Sequence, residues 1–129
     1  MDKKETIELL KSKPINIAIV GSRNFYDYDA LVKFIKENID TDTIKFVISG
    51  GARGADSLAE RFAYNFNIEK KIFKPDWQKY GKRAGFLRNK TIIENADVVF
   101  AFWDGESRGT LSSINLAKEQ DKKLYVYTF

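Results

Sequence analysis

"IKFVISGGARGADSLAERFA", residues 44–63, decides the fold. Its first eight residues read as a buried strand. Beyond the glycines, Ala55, Leu58, Ala59, Phe62 and Ala63 recur at steps of three and four, with Phe66 continuing them, which is the apolar stripe of a helix. Between strand and helix stand three glycines, Arg53 and Asp56. An apolar strand that feeds straight into a helix is half of a parallel β-α-β unit.

The same alternation extends in both directions. "INIAIVGS" (15–22) is a strand bounded by Pro14 and ended by Gly21, and Leu31, Phe34, Ile35 and Ile39 mark a helix over 29–39. "KKIFKPD" (70–76) is a shorter strand stopped at Pro75, followed by a helix from about Arg83 to Asn95. "ADVVFAFWDG" (96–105) is apolar on both faces; Leu111, Ile114 and Ala117 mark another helix, and "KLYVYTF" is a fifth strand. The expected architecture is an α/β Rossmann-like three-layer sandwich, with a parallel sheet of about five strands and helices on both faces. Residues 1–129 read as one domain, with a short N-terminal helix near 3–11 as an extension.

Composition narrows the chemistry. The 129 residues are 43% hydrophobic and 14% aromatic, which suits a globular core. No apolar run approaches a membrane span and no signal-peptide core opens the chain, so a cytoplasmic setting without membrane contact is expected. With no cysteine and no histidine, disulfides, thiolate catalysis and the commonest metal ligands are removed. No cofactor and no metal are expected. The net charge is +4, and five of the six arginines, all but Arg61, lie beside glycine-bearing turns. Arginine's planar fork suits phosphate.

Those turns all follow strands: "GSRNF", "GGARGAD", "PDW" and "WDGESRGT". In an open parallel sheet they converge on one rim, where ligands bind near the point of strand-order reversal. The candidate ligand-binding residues are Gly21, Ser22 and Arg23 from the first turn and Gly50, Gly51, Ala52, Arg53, Gly54 and Asp56 from the second. The later turns add Asp76, Trp77, Arg88 and Asn89, then Trp103, Asp104, Gly105, Ser107, Arg108, Gly109 and Thr110. Glycines permit close backbone approach, and amides at a helix start suit an anion. Plainer readings stand beside these: a tight turn with Asp56 as helix cap, a cap at Ser107 or Thr110, a core role for Trp103, and a lid or core role for Trp77. The second turn lacks the Lys-Ser/Thr of a P-loop, and Gly21 stands alone where a dinucleotide fold carries G-x-G-x-x-G.

In this order the pieces "IVGSRNF", "VISGGARGADSLAERFA" and "KPDWQKYGKRAGFLRNKTIIENADVVFAFWDGESRGTLSSINLA" resemble the SLOG superfamily, in its small YspA / cpYpsA-related branch. The resemblance covers residues 15–129. It implies a pocket for a nucleotide or a nucleotide-derived signal, ADP-ribose-like in some branches, and helix-mediated pairing into a homo-oligomer. By the same resemblance, Arg88 matches an arginine that in LOG phosphoribohydrolases holds substrate. Gly105, Gly109 and Thr110 match the anion-binding part of P-G-G-x-G-T-x-x-E. Ser113 stands where that motif has its glutamate.

Three functions follow. The first is binding of a small nucleotide-derived ligand, as sensor or sequestering protein. The second is a nucleotide N-glycosidase with Asp104 or Asp76 as the active carboxylate. The third, drawn from the DNA-processing protein A relatives and the basic charge, is single-stranded DNA binding.

Overall fold

Ile17 and Ile19 are buried on one side of the first strand, Ala18 and Val20 on the other. A strand with no polar face needs cover on both, and that requirement organises the molecule. The computed structural model describes residues 13–129, so the helix expected near 3–11 lies outside the described residues. Five strands, β1 (Ile15–Gly21), β2 (Ile44–Ser49), β3 (Glu69–Ile72), β4 (Val98–Trp103) and β5 (Lys123–Thr128), form one sheet in the order β3-β2-β1-β4-β5. All neighbours are parallel, with Ile17 opposite Val47 and Val98, and Phe102 opposite Gly21 and Tyr127. The fold is α/β and Rossmann-like.

Helices α1 (Tyr28–Asn38) and α2 (Ala55–Asn65) cover one face. Leu31, Ile35, Leu58 and Phe62 pack there on Ile17, Ile19, Val47, Phe100 and Phe102. Asp27 starts α1 by accepting the Ala30 amide at 3.0 Å, as an N-cap aspartate should. The opposite face is narrower in its side chains. Ala18, Val20, Val99 and Ala101 meet Ile92 and Ile93 of α4 (Ala84–Asn95) and Ile114, Leu116 and Ala117 of α5 (Arg108–Glu119).

The third strand is shorter than the sequence suggested. It ends at Ile72, and the Phe73 amide makes a last bond to the Ser49 carbonyl at 2.9 Å. Pro75 has no amide to continue the ladder. Residues 77–80 then form one helical turn, α3 (Trp77–Tyr80), where only a loop was expected. The fourth strand starts two residues late because Asp97 is engaged with Asn16, through both its amide and its carboxylate, each at 2.8 Å.

Candidate functional site

Order reverses at β1: β2 and β3 lie to one side, β4 and β5 to the other. At the carboxyl ends of these strands a cavity of about 490 Å³ opens, bounded by the turns after β1, β2 and β4 and by α4 and α5. Ser22 ties the rim together. Its amide donates to the Phe102 carbonyl at 2.9 Å, its carbonyl accepts the Phe25 and Ala55 amides at 3.2 Å, and its hydroxyl accepts the Asp104 amide at 3.2 Å. Phe25 anchors the same loop by stacking on Phe102 at 4.9 Å between ring centroids. Arg23 and Asn24 are thereby held out at the cavity mouth, exposed.

The first two turns are packed together through two glycines, Gly21 at the end of β1 and Gly54 before α2, where no Cβ fits. A Cβ on Gly54, at φ +73°, would stand 2.4 Å from the Arg23 carbonyl oxygen; one on Gly21 would stand 2.5 Å from the Phe102 carbonyl. Their first task is therefore packing of backbone on backbone. Asp56 reaches back from the first turn of α2 to accept the Ala52 amide at 3.1 Å, while Gly54 occupies the N-cap position. The Ala52 and Ala55 amides are thus engaged within the protein, and the second turn offers an anion fewer donors than its glycines suggested.

The start of α5 is more open. Ser107 is its N-cap and accepts the Thr110 amide at 3.3 Å. Asp104 accepts the Glu106 and Ser107 amides through one oxygen, at 2.9 and 2.8 Å, and these two bonds hold its carboxyl below the usual range. Among the described residues, the Arg108 and Gly109 amides have no protein acceptor. Nothing lies within 4 Å of where a Gly109 Cβ would stand. Two helix-start amides are therefore unpaired at a positive dipole end, and that of Gly109 belongs to the cavity wall.

Arg88 is fixed before any ligand arrives. Its Nη1 donates to the Gly50 carbonyl at 2.9 Å and more weakly to Phe73 at 3.5 Å, and its Nε to Asn89 Oδ1 at 2.8 Å. Burial lowers its pKa from the usual arginine value, while Asp56 partly restores it. Asp56 itself is pushed up by burial, more than the Ala52 amide and Arg88 pull it down. Arginine and aspartate share the floor near Gly50 without a direct ion pair.

Of the residues singled out from the sequence, Gly21, Ser22, Arg23, Gly50, Ala52, Arg53, Asp56, Arg88, Asn89, Asp104, Ser107, Gly109 and Thr110 line this one cavity. Seven do not. Gly51 and Gly54 turn the backbone behind it, and Gly105, at φ +83°, turns the loop outside it. Trp103 spends its indole N–H on the Ser107 carbonyl at 3.0 Å and packs in the second core. Arg108 lies in a groove with Phe86 and Leu111. Asp76 is the N-cap of α3, accepting the Lys79 amide at 3.1 Å, and lines a separate cavity of about 300 Å³. Trp77 lies against Gly85. The carboxylates Asp76 and Asp104 do not come together. Val20, Asn24, Tyr26, Ile92 and Ser113 line the cavity without having been selected. Ile92 and Ser113 were within reach of helical spacing, one turn beyond Arg88 and Thr110.

A family model described as YspA, cpYpsA-related SLOG family matches residues 15–80. Gene 61 protein of Mycobacterium phage D29 is 36% identical over an alignment of 101 residues that covers 73% of this chain and 81% of that protein. Among solved structures, DNA processing protein A from Helicobacter pylori, described for its single-stranded DNA binding mode, superposes with a TM-score of 0.68 at 23% identity. That match covers 97% of this chain and 68% of the other. DNA processing protein A from Streptococcus pneumoniae superposes with a TM-score of 0.64 at 17% identity, covering 91% of this chain. The chain spans about half (51%) of the pneumococcal protein. At these identities the likeness is one of fold.

Proposed function

The chain belongs to the YspA, cpYpsA-related SLOG family, and from that premise we propose that it binds a nucleotide-derived molecule, ADP-ribose-like or a cyclic nucleotide derivative, as sensor or sequestering protein. One observation carries the reading. The open Gly109 amide at the start of α5 and the arginines Arg23, Arg53 and Arg88 line a single cavity at the sheet's switch point. The fixed Gly109 amide and the tethered Arg88 receive a phosphate; the exposed Arg23 and Arg53 close over it. A volume near 490 Å³ suits a ligand of nucleotide size.

The N-glycosidase alternative is less well supported. Asp104 is turned toward backbone amides that keep it a weak base, Asp76 belongs to another cavity, and the buried Ser113 occupies the position of the motif's glutamate. Single-stranded DNA, the ligand of the Helicobacter neighbour, stands as the second reading. Self-association belongs to the proposal as well. Phe86 and Leu111, both exposed, flank a groove between α4 and α5 that a second copy would cover, which sedimentation velocity tests.

The test is calorimetric titration with AMP, NAD, ADP-ribose and cyclic ADP-ribose, followed by chromatography of each mixture. Binding with the ligand recovered intact is expected. Arg53→Ala and Arg88→Ala each weaken it by about tenfold or more, the worth of a charged hydrogen bond. Unchanged affinity in both variants for every ligand overturns the cradle. Release of free base makes the protein a hydrolase.

A further inference from the structure

Charge is distributed very unevenly along this chain. Residues 70–90 hold eight of its 22 basic side chains and one of its 18 acidic ones, a net +7, while the remaining residues sum to −3. Of these eight cations only Lys70 has an ion-pair partner among the described residues, Glu60 at 3.0 Å. Large aromatic side chains stand exposed in the same segment: Trp77 is 57% exposed and Tyr80 44%. Lys71 and Lys79 rest over the Phe46 and Tyr80 rings, at 4.1 and 5.1 Å from their centroids, so cations and aromatics already lie side by side on this surface. Both features are what a surface for stacked bases and phosphates requires.

The segment adjoins the cavity already described. The Lys74 stem lies 3.6–3.8 Å from where a Gly51 Cβ would stand, so it crosses the second turn. Arg88 lines both the main cavity and the neighbouring one of about 300 Å³, where Lys74, Tyr80 and Lys90 join it. Beyond these, Lys79, Lys82 and Arg83 follow on α3 and the tight turn after it, all exposed. We propose that residues 74–90 form a track for a single-stranded polynucleotide that runs outward from the cavity across Arg88. The reading of the cavity as a phosphate site is needed only to place one end of the strand.

An anionic membrane surface is the competing partner for cations and aromatics. Membrane-surface helices segregate apolar and basic faces along their length. Here α3 has four residues, and Trp77, Lys79, Tyr80, Lys82 and Arg83 interleave. Interleaving favours alternating bases and phosphates.

The experiment measures fluorescence anisotropy of labelled oligo-dT and oligo-rU of about 12 nucleotides, within the usual span of such surfaces. Anionic phosphatidylserine vesicles serve as a third probe, and ADP-ribose titration runs in parallel. Wild-type protein is expected to bind an oligonucleotide with a log–log salt slope of about −2 or steeper. The Lys79→Ala, Lys82→Ala, Arg83→Ala triple variant weakens this at least about tenfold and flattens the slope by about 2. A triple variant that keeps charge (Lys→Arg at 79 and 82, Arg→Lys at 83) retains binding, and Trp77→Ala loses about tenfold. Preference for dT or rU identifies the strand as DNA or RNA. No oligonucleotide binding near 50 mM salt, equal binding by wild type and the Ala triple variant, or vesicle binding in place of oligonucleotide binding each overturns the track. Loss of ADP-ribose binding in Arg53→Ala, or its absence altogether, speaks only to the cavity.

Discussion

Asp56 is a carboxyl group that the fold would rather keep neutral. It is 8% exposed, and burial outweighs the Ala52 amide and Arg88 in setting its pKa, which lies above the ordinary 3.8. A raised folded-state pKa means that its contribution is fully favourable below the unfolded value and is lost as pH rises through the folded one. At neutral pH the ionised group is therefore a net cost. Asp56→Asn keeps an oxygen for the Ala52 amide and removes the charge, and Arg88 retains its carbonyl partners. In urea unfolding, wild type and variant are expected to match below the unfolded-state value, with the variant gaining as pH rises through the raised folded-state pKa and levelling off above it. A variant less stable at every pH shows that Asp56 is held by its partners more strongly than burial opposes it. The same scale shows what the sequence disclosed of the site. Arg88 and Asp56 were marked out by the glycine-bearing turns near them, although a helix cap was an equally plain use for Asp56, and both line the cavity. Trp103 and Asp76 were marked out too and do not line it. Each found a local partner, Ser107 or Lys79, and composition does not reveal which way a side chain turns.

Glycines at the starts of α2 and α5 look alike in the sequence and do opposite work. Gly54 stands at φ +73° with the Arg23 carbonyl where its Cβ would go, so Gly54→Ala is expected to cost about 3 kcal/mol or more, with a fall in Tm of ~10 °C. At Gly109 nothing lies within 4 Å, and an alanine there suits a helix better by up to about 1 kcal/mol. Gly109→Ala is expected to leave Tm unchanged or raised while weakening nucleotide binding about tenfold, because its methyl occupies the approach to the open amides. Unchanged affinity in that variant removes the α5 amides from the site. Thermal unfolding and calorimetry together separate the two roles. At this scale the long elements were readable, since α2 and β4 carry unbroken apolar patterns. The stretch 73–80 was not: a strand cut off by Pro75 and one helical turn set by the Asp76 cap are each too short to leave a period.

Strand order is a property of the whole molecule, yet part of it is written in each strand's polarity. Every residue of β4 from Val98 to Phe102 is buried, as are Ile17 to Val20 of β1, so these two must be central. At the edges β3 exposes Glu69, Lys70 and Lys71, charges that also discourage pairing with another sheet, and β5 has only half-buried and exposed positions. What polarity does not reveal is which edge strand neighbours which central one; that follows from the right-handed crossovers and the helix packing. The switch point beside β1, and with it the cavity, is fixed by this order. Protection from hydrogen exchange is expected to follow it. Amides of β1 and β4 bond between two neighbouring strands beneath two helical layers and open only with the whole sheet, so they exchange slowest. Those of β3, with one neighbour and exposed side chains, exchange through local opening, and the segment 74–83 that continues it exchanges faster still. Exchange measured by mass spectrometry on peptides from β1, β3 and residues 74–83 checks the ranking. Protection of β3 equal to that of β1 means that its open edge is covered in solution by a second copy of the chain.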